Sequence, residues 1–301
     1  MTVTYKVPGI MLRVKGLSWA WVVIALLMTI DAAWLERTGL SISRNSVLVS
    51  AAAIGGMLAL TVIYSYLRPD ERLAALTENV AKLFAYSISL AVFGYLVVTL
   101  RAPLIDNWLA ASDRAVGFDW PAVYAWVGEH KVIRLILIMA YDSLVPQLGI
   151  LMTLLITLKR YDRAQSLLWL YIVSSLAYVL ISAFLPAAGA FGTYQTALDT
   201  PYLQQFYTLR SGDMKTLDLL QLQGVVQFPS FHLALAVLCA YATWGMRFLF
   251  PVFMILNLLV IAATPAIGGH FFADLWVSAL LIVVLIFLVE RGLKASRQPI
   301  L

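Results

Sequence analysis

The sequence predicts an all-α integral membrane protein, a polytopic bundle of about eight transmembrane helices with a further helix lying at the interface. Three observations carry this prediction. Hydrophobic residues make up 62% of the 301 residues and charged residues only 12%, against roughly half and a quarter in a soluble domain. Mean hydropathy is +0.87. The apolar residues fall into eight separate runs, at about 17–35, 46–67, 80–100, 132–158, 166–186, 230–247, 249–265 and 270–290, and a span needs about 20 apolar residues at 1.5 Å rise each.

Each run has a local reason. The first follows the basic segment "MTVTYKVPGIMLRVKG" and ends "MTIDAAWLER"; it is too long for a cleaved signal and reads as a retained helix. The second and third are continuous and flank the charged turn "RPDERLAALTE". The loop 101–131 mixes Leu, Trp and Val with charged residues, the pattern of a short helix in the interface plane. Its Trp108, Trp120 and Trp126 suit the headgroup level. The fourth run carries Asp142, Pro146 and Gln147, which predict an irregular, polar-lined stretch. A second long loop, 187–228, separates the fifth run from the sixth, and the seventh is the shortest.

The loop charges orient the bundle. With the N-terminus inside, twelve of the 21 Lys and Arg lie in short cytoplasmic segments, and eight are spread through much longer outer loops. That bias predicts both termini in the cytoplasm, as an even span count requires. The same distribution accounts for the net charge of +5 without nucleic acid. The single cysteine, Cys239, lies inside an apolar run and excludes an intrachain disulfide.

Two of the three histidines stand at helix mouths. In "QFPSFHLALA", Pro229 and Ser230 precede His232, the pattern of a helix start with Ser230 and His232 in its first turn. Such an end carries free N–H groups and partial positive charge. In "GGHFFADLWV", His270 and Asp274 are one turn apart on one face, and Gly268 and Gly269 permit a tight turn or a close ligand. The sixth and eighth runs cross in the same direction, so Ser230, His232, His270 and Asp274 are expected at one depth on the outer face. Two imidazoles and a carboxylate at one level can act as nucleophile, acid and orienting group. The same three side chains could ligate zinc, but no metal and no cofactor is expected.

"PSFH" followed by "GGHFFAD" resembles the last two signature motifs of the type 2 phosphatidic acid phosphatase superfamily. "FPSFH" with "GGHxxxD", in the context of "LPAAG" (185–189), "LRSG" (209–212) and "GVVQFPSFH", looks like the branch containing inositol phosphorylceramide synthases and their bacterial relatives. The resemblance covers roughly residues 80–290. It implies a single membrane domain, 1–301, with a six-helix catalytic core at 80–290, a two-helix addition at 1–79 and a cytoplasmic tail at 291–301. It also implies a bacterial inner-membrane enzyme of lipid phosphate metabolism whose site faces the periplasm. By position, His270 would attack phosphorus to give a phosphohistidine. Asp274 would hold its tautomer, His232 would protonate the leaving oxygen and then activate the acceptor, and Ser230 would donate to a phosphate oxygen.

The chain departs from the family pattern in its cations. The Lys…Arg-Pro motif has no counterpart in "FLPAAGAFGTY", and Thr264 stands where an arginine precedes the last histidine. Arg210 and Lys215, in the outer loop, are the nearest substitutes, and Asp142 is a candidate for the substrate cavity. Asp31 is expected at the interface and His130 on the surface. A lipid phosphate substrate fits this set, and water or an alcohol could be the acceptor. The rival reading is a transporter or a non-catalytic membrane protein that keeps the motifs; against transport, the polar residues gather at one face, not the midplane.

Overall fold

A computed structural model describes residues 18–198 and 200–297. The basic N-terminal segment, with Lys6, Arg13 and Lys15, and the end of the C-terminal tail lie outside the described residues. The chain is all-α, as expected. The helices are α1 (Trp19–Thr38), α2 (Arg44–Val62, continued by a π turn to Leu67), α3 (Glu71–Val98), α4 (Asp106–Ala115), α5 (Trp120–Glu129), α6 (Lys131–Asp142), α7 (Leu144–Thr157), α8 (Tyr161–Phe184), the single turn α9 (Ala190–Thr193), α10 (Pro201–Ser211), α11 (Phe231–Ala242), α12 (Leu249–Gly268) and α13 (Phe272–Arg297).

Six of these are long and apolar enough to cross a membrane: α1, α2 with its π turn, α3, α8, α12 and α13 up to Leu293. A seventh crossing is the pair α6 and α7, bent by 49° after Asp142. The sequence reading drew this pair as one run; Ser143 and Pro146 fall at the bend. The remaining expected span is α11, of only 12 residues. At 1.5 Å per residue it is about 18 Å long, short of the roughly 30 Å hydrocarbon core.

The apolar core has two parts. One runs through the bundle, where Tyr86, Leu151, Leu155, Leu168, Tyr178, Leu235, Leu238 and Ile282 interlock α3, α7, α8, α11 and α13. The other caps one end: Leu96, Trp120, Phe191, Leu203, Phe206, Phe228 and Phe271 gather α4, α5, α9, α10 and their loops. Both long loops expected from the sequence are thus folded into this cap. The interfacial stretch forms two helices, α4 and α5. Trp108 is exposed, but Trp120 is buried to 1% and has left the interface to hydrogen-bond backbone carbonyls inside the cap.

A two-residue parallel ladder, Ser41–Ile42 with Thr216–Leu217, ties the α1–α2 turn to the loop after α10. Asp31 is buried between α1 and α3, where it accepts from Ser89 Oγ at 2.6 Å. Gln147 is also buried. Its Oε1 accepts from Asn257 Nδ2 of α12 at 2.9 Å, and its Nε2 donates to Ser143 Oγ at 3.0 Å, beside the bend.

That cross-helix bond gives a measurable prediction. Interhelical hydrogen bonds in bilayers average about 0.6 kcal/mol and reach about 1.7. Asn257→Leu should therefore lower the unfolding midpoint only slightly in a mild detergent, with the fold kept. Gross aggregation of this variant would show that the α7–α12 contact carries more of the bundle than one hydrogen bond can.

Candidate active site

The site lies on the seam between the two cores. α11 begins there because Ser230 caps it, its Oγ lying 3.5 Å from the Leu233 N–H. α13 begins there after Gly269 closes α12 in a left-handed conformation at φ +69°. Both glycines are closely packed by protein. A Cβ on Gly268 would lie 2.6 Å from the Tyr141 hydroxyl, and one on Gly269 would lie 2.7 Å from the Phe191 ring.

Four of the residues singled out in the sequence meet here. His270 Nδ1 and Asp274 Oδ2 are 2.7 Å apart, and both residues are almost fully buried. Nδ1 then carries the proton, and Nε2 presents a lone pair. Ser230 Oγ is 3.5 Å from that Nε2. The His232 ring stands 6.1 Å from the His270 ring, centroid to centroid, at 62°. His232 is only partly buried.

Asp274 does more than orient one imidazole. Its Oδ1 accepts from the Ser230 N–H at 2.8 Å and from Ser278 Oγ at 3.1 Å, and Ser278 Oγ in turn accepts from the same N–H at 2.7 Å. The carboxylate therefore binds the start of α11 to the first turns of α13. His232 is held from the other side by the Tyr141 ring, stacked on it at 4.3 Å and 15°.

A further shell fixes the loops that carry these residues. Two aspartates of α4, two turns apart, each accept two backbone N–H groups. Asp106 takes those of Ala188 (3.0 Å) and Gly189 (2.8 Å). Asp113 takes those of Phe272 (2.9 Å) and Ala273 (2.7 Å), between His270 and Asp274. The Ala190 N–H donates to the Gly269 carbonyl at 2.7 Å and joins the two stapled loops. Trp120 Nε1 lies 3.1 Å from the His270 carbonyl. Burial pushes both α4 carboxyls above the ordinary aspartate value against the pull of their N–H donors; the nearby Asp274 charge adds to the rise at Asp113.

Among the other sequence candidates, Thr264 reaches the histidine loop, its carbonyl accepting from the His270 N–H at 3.4 Å. Arg210 Nη2 donates to the Ala102 carbonyl at 3.0 Å and lies 3.4 Å from that of Arg101, while its Nη1 is buried without a partner. Lys215 is exposed and donates to the Gly212 carbonyl of its own loop. Asp142 is exposed at the α6–α7 bend, next in sequence to Tyr141. Thr264, in the place of the family's arginine, turns its hydroxyl back to the Val260 carbonyl. His130 is on the surface, stacked on Trp126. Among the described residues, no group of three His, Cys, Asp or Glu could hold a metal ion.

Tyr141, Ser278, Trp120 and the α4 aspartates were not singled out from the sequence. Ser278 had a signal, its i+4 spacing from Asp274, and so did Asp106 and Asp113, at i and i+7 in an amphipathic helix. Tyr141 and Trp120 reach the site only through the tertiary fold.

The family of models described as the PAP2 superfamily matches residues 107–288, more than half of the chain. The chain belongs to that superfamily, whose members are phosphatases and phosphotransferases. No curated protein and no solved structure matches it.

The Asp113 staple yields a prediction for catalysis. Asp113→Asn keeps the shape but turns an NH2 toward a backbone N–H. Hydrogen bonds to charged groups are worth about 1.5–3 kcal/mol, so turnover should fall by roughly 10- to 100-fold, with a smaller change in KM. Protonation has the same effect in the parent: because burial raises this carboxyl, loss of activity on the acid side should begin at a higher pH than an exposed aspartate would set. Steady-state kinetics across pH would check both, and unchanged turnover in the variant would reduce Asp113 to a packing residue.

Proposed function

We propose that this chain is a membrane enzyme that hydrolyses or transfers the phosphoryl or phospho-headgroup of a lipid phosphate through a covalent phosphohistidine on His270. One observation carries the reading: a buried His270–Asp274 pair at 2.7 Å with a second imidazole 6.1 Å away. Membership of the superfamily supports the coarse reaction class.

In this mechanism Asp274 holds the Nδ1 proton, and His270 Nε2 attacks phosphorus. The bond from phosphorus to the leaving oxygen breaks, and His232 supplies the proton that oxygen needs. Neutral His232 then takes a proton from water or an alcohol, whose oxygen displaces His270. Ser230 Oγ, beside Nε2, donates to a phosphate oxygen. General acid–base catalysis of this kind contributes about 10²–10⁴-fold, and donors aimed at the developing charge add to it.

The finer reading places the chain near the inositol phosphorylceramide synthase-like branch, on "FPSFH" with "GGHFFAD". The catalytic core is 80–290, and the first two helices are an addition to it. The histidine end faces the periplasm of a bacterial inner membrane, both termini are cytoplasmic, and the substrate is a phospholipid or related lipid phosphate. Arg210 supplies positive charge at the rim through its free Nη1. Lys215, exposed in the loop after α10, and Asp142, at the α6–α7 bend beside Tyr141, are the remaining substrate-binding residues.

Labelled lipid phosphate or phosphodiester should leave an acid-labile, base-stable adduct on the protein. The adduct should form and decay more slowly in His232→Ala, which loses the acid of the first step and the base of the second, and be missing in His270→Ala. Both variants should lose at least about 100-fold in turnover. An adduct that survives His270→Ala would remove the phosphohistidine. For the rim charge, Arg210→Ala should raise KM more than Arg210→Lys, because lysine keeps a positive charge there and alanine does not. Parent-like kinetics in Arg210→Ala would end that role.

A further inference from the structure

Buried polar atoms are almost always hydrogen-bonded, so an exception near a reaction centre points to a ligand. Six side chains among the described residues carry a buried atom without a partner: Asp31, Thr196, Thr200, Arg210, Gln227 and Asn257. Gln227 alone among them lies in the segment that holds Ser230 and His232. It is 5% exposed, and its Oε1 has no partner.

The neighbours of Gln227 define what it can bind. Its Oε1 is 3.2 Å from the point where a Cβ on Gly189 would lie. The same point is 2.9 Å from the Gly269 carbonyl and 3.3 Å from the Tyr202 hydroxyl. Gly269 directly precedes His270, and a Cβ on Gly224, at the head of the Gln227 segment, would lie 4.0 Å from His232 Cε1. The carboxamide thus stands beside both catalytic loops. Of its neighbours, the Gly269 carbonyl is an acceptor and the Tyr202 hydroxyl donates to the Ala188 carbonyl at 3.4 Å, so neither supplies Oε1 with a hydrogen. An ionised phosphate brings Oε1 no hydrogen; a hydroxyl brings the missing one.

We propose that Gln227 is a specificity-determining residue that accepts a hydrogen bond from a substrate hydroxyl other than the reacting one. This rests on the phosphohistidine reading. In the transfer step the phosphorus–nitrogen bond to His270 breaks, the phosphorus–oxygen bond to the acceptor forms, and the acceptor's proton goes to His232. The hydrogen that Gln227 takes therefore belongs to a second hydroxyl, so the group it reads is a polyol. That polyol is either the headgroup of the donor or the acceptor alcohol.

The test compares the parent with Gln227→Met, close in shape, and with Gln227→Leu. Phosphatidylglycerol and phosphatidylethanol, which differ in headgroup hydroxyls, serve as donors in one arm. In the other, phosphatidic acid is turned over with glycerol present, and glycerol phosphate is counted against inorganic phosphate. If the headgroup is read, the phosphatidylglycerol-to-phosphatidylethanol rate ratio should fall about tenfold in the variants; if the acceptor is read, the glycerol phosphate fraction should fall by about as much. Neither ratio moving overturns the proposal. Unfolding midpoints give a readout that needs no turnover. Removing an unpaired buried amide should hold or raise the midpoint in at least one variant, whereas a clear drop in both would show an amide partnered within the fold and overturn the proposal. A parent that forms no His270-dependent adduct would sink the reaction proposed above, and the midpoints would still judge Gln227.

Discussion

The carboxylate of Asp274 is the constraint on which the site depends. One oxygen holds His270; the other holds the N–H at the cap of α11 and the Ser278 hydroxyl. A buried charge is tolerated only when its lone pairs are filled, and three donors fill this one, from the cap of α11, the loop before α13 and α13 itself. The group that sets the tautomer of one histidine thus also sets where the helix bearing the other begins. The orientation of His270 and the distance to His232 are consequences of one satisfied ion.

The same physics is repeated one layer out. α4 lies across the cap end of the bundle and contributes no apolar span, yet two of its carboxylates each fix a pair of backbone N–H groups in the loops that converge on Gly269. Irregular backbone in an apolar setting must find partners, and here the cap supplies them as side-chain charges. This is why the two long loops are packed around their own apolar cluster of Trp120, Phe191, Phe206 and Phe271.

Much of this was legible in the sequence. Composition and run length gave the membrane bundle, and two histidines at helix starts, one with an aspartate a turn later, gave the cluster. Other features were hidden for physical reasons. Hydropathy cannot see that α11 stops at Ala242, because the turn that follows is itself apolar. The fourth run reads as one helix in hydropathy, whereas the chain bends by 49° after Asp142 and leaves its side chain exposed at the end of α6. Trp120 and Asp31 have compositions that suit an interface, and only their partners across the fold draw them inside. Tyr141 stacks on His232 from a helix about ninety residues earlier, and no local pattern records that.

On the proposed mechanism, the electrostatics of the site bear on the charge of the substrate. Helix starts attract anions, but at both starts here some of the backbone donors already face the protein's own carboxylates. Ser230 N–H faces Asp274, and the Phe272 and Ala273 N–H groups face Asp113. Arg210 has one guanidinium nitrogen tied to backbone carbonyls, and Thr264 replaces a family arginine with a hydroxyl turned away. An incoming phosphate therefore meets two fixed negative charges with little cation to offset them. Repulsion scales with the charge brought in, so a dianionic phosphomonoester is penalised about twice as heavily as a monoanionic phosphodiester. A diester donor also brings a headgroup, which Gln227 is placed to read. The absent clamp and the unpartnered carboxamide thus point to one chemistry: transfer of a phospho-headgroup, recognised as much by its hydroxyls as by its charge.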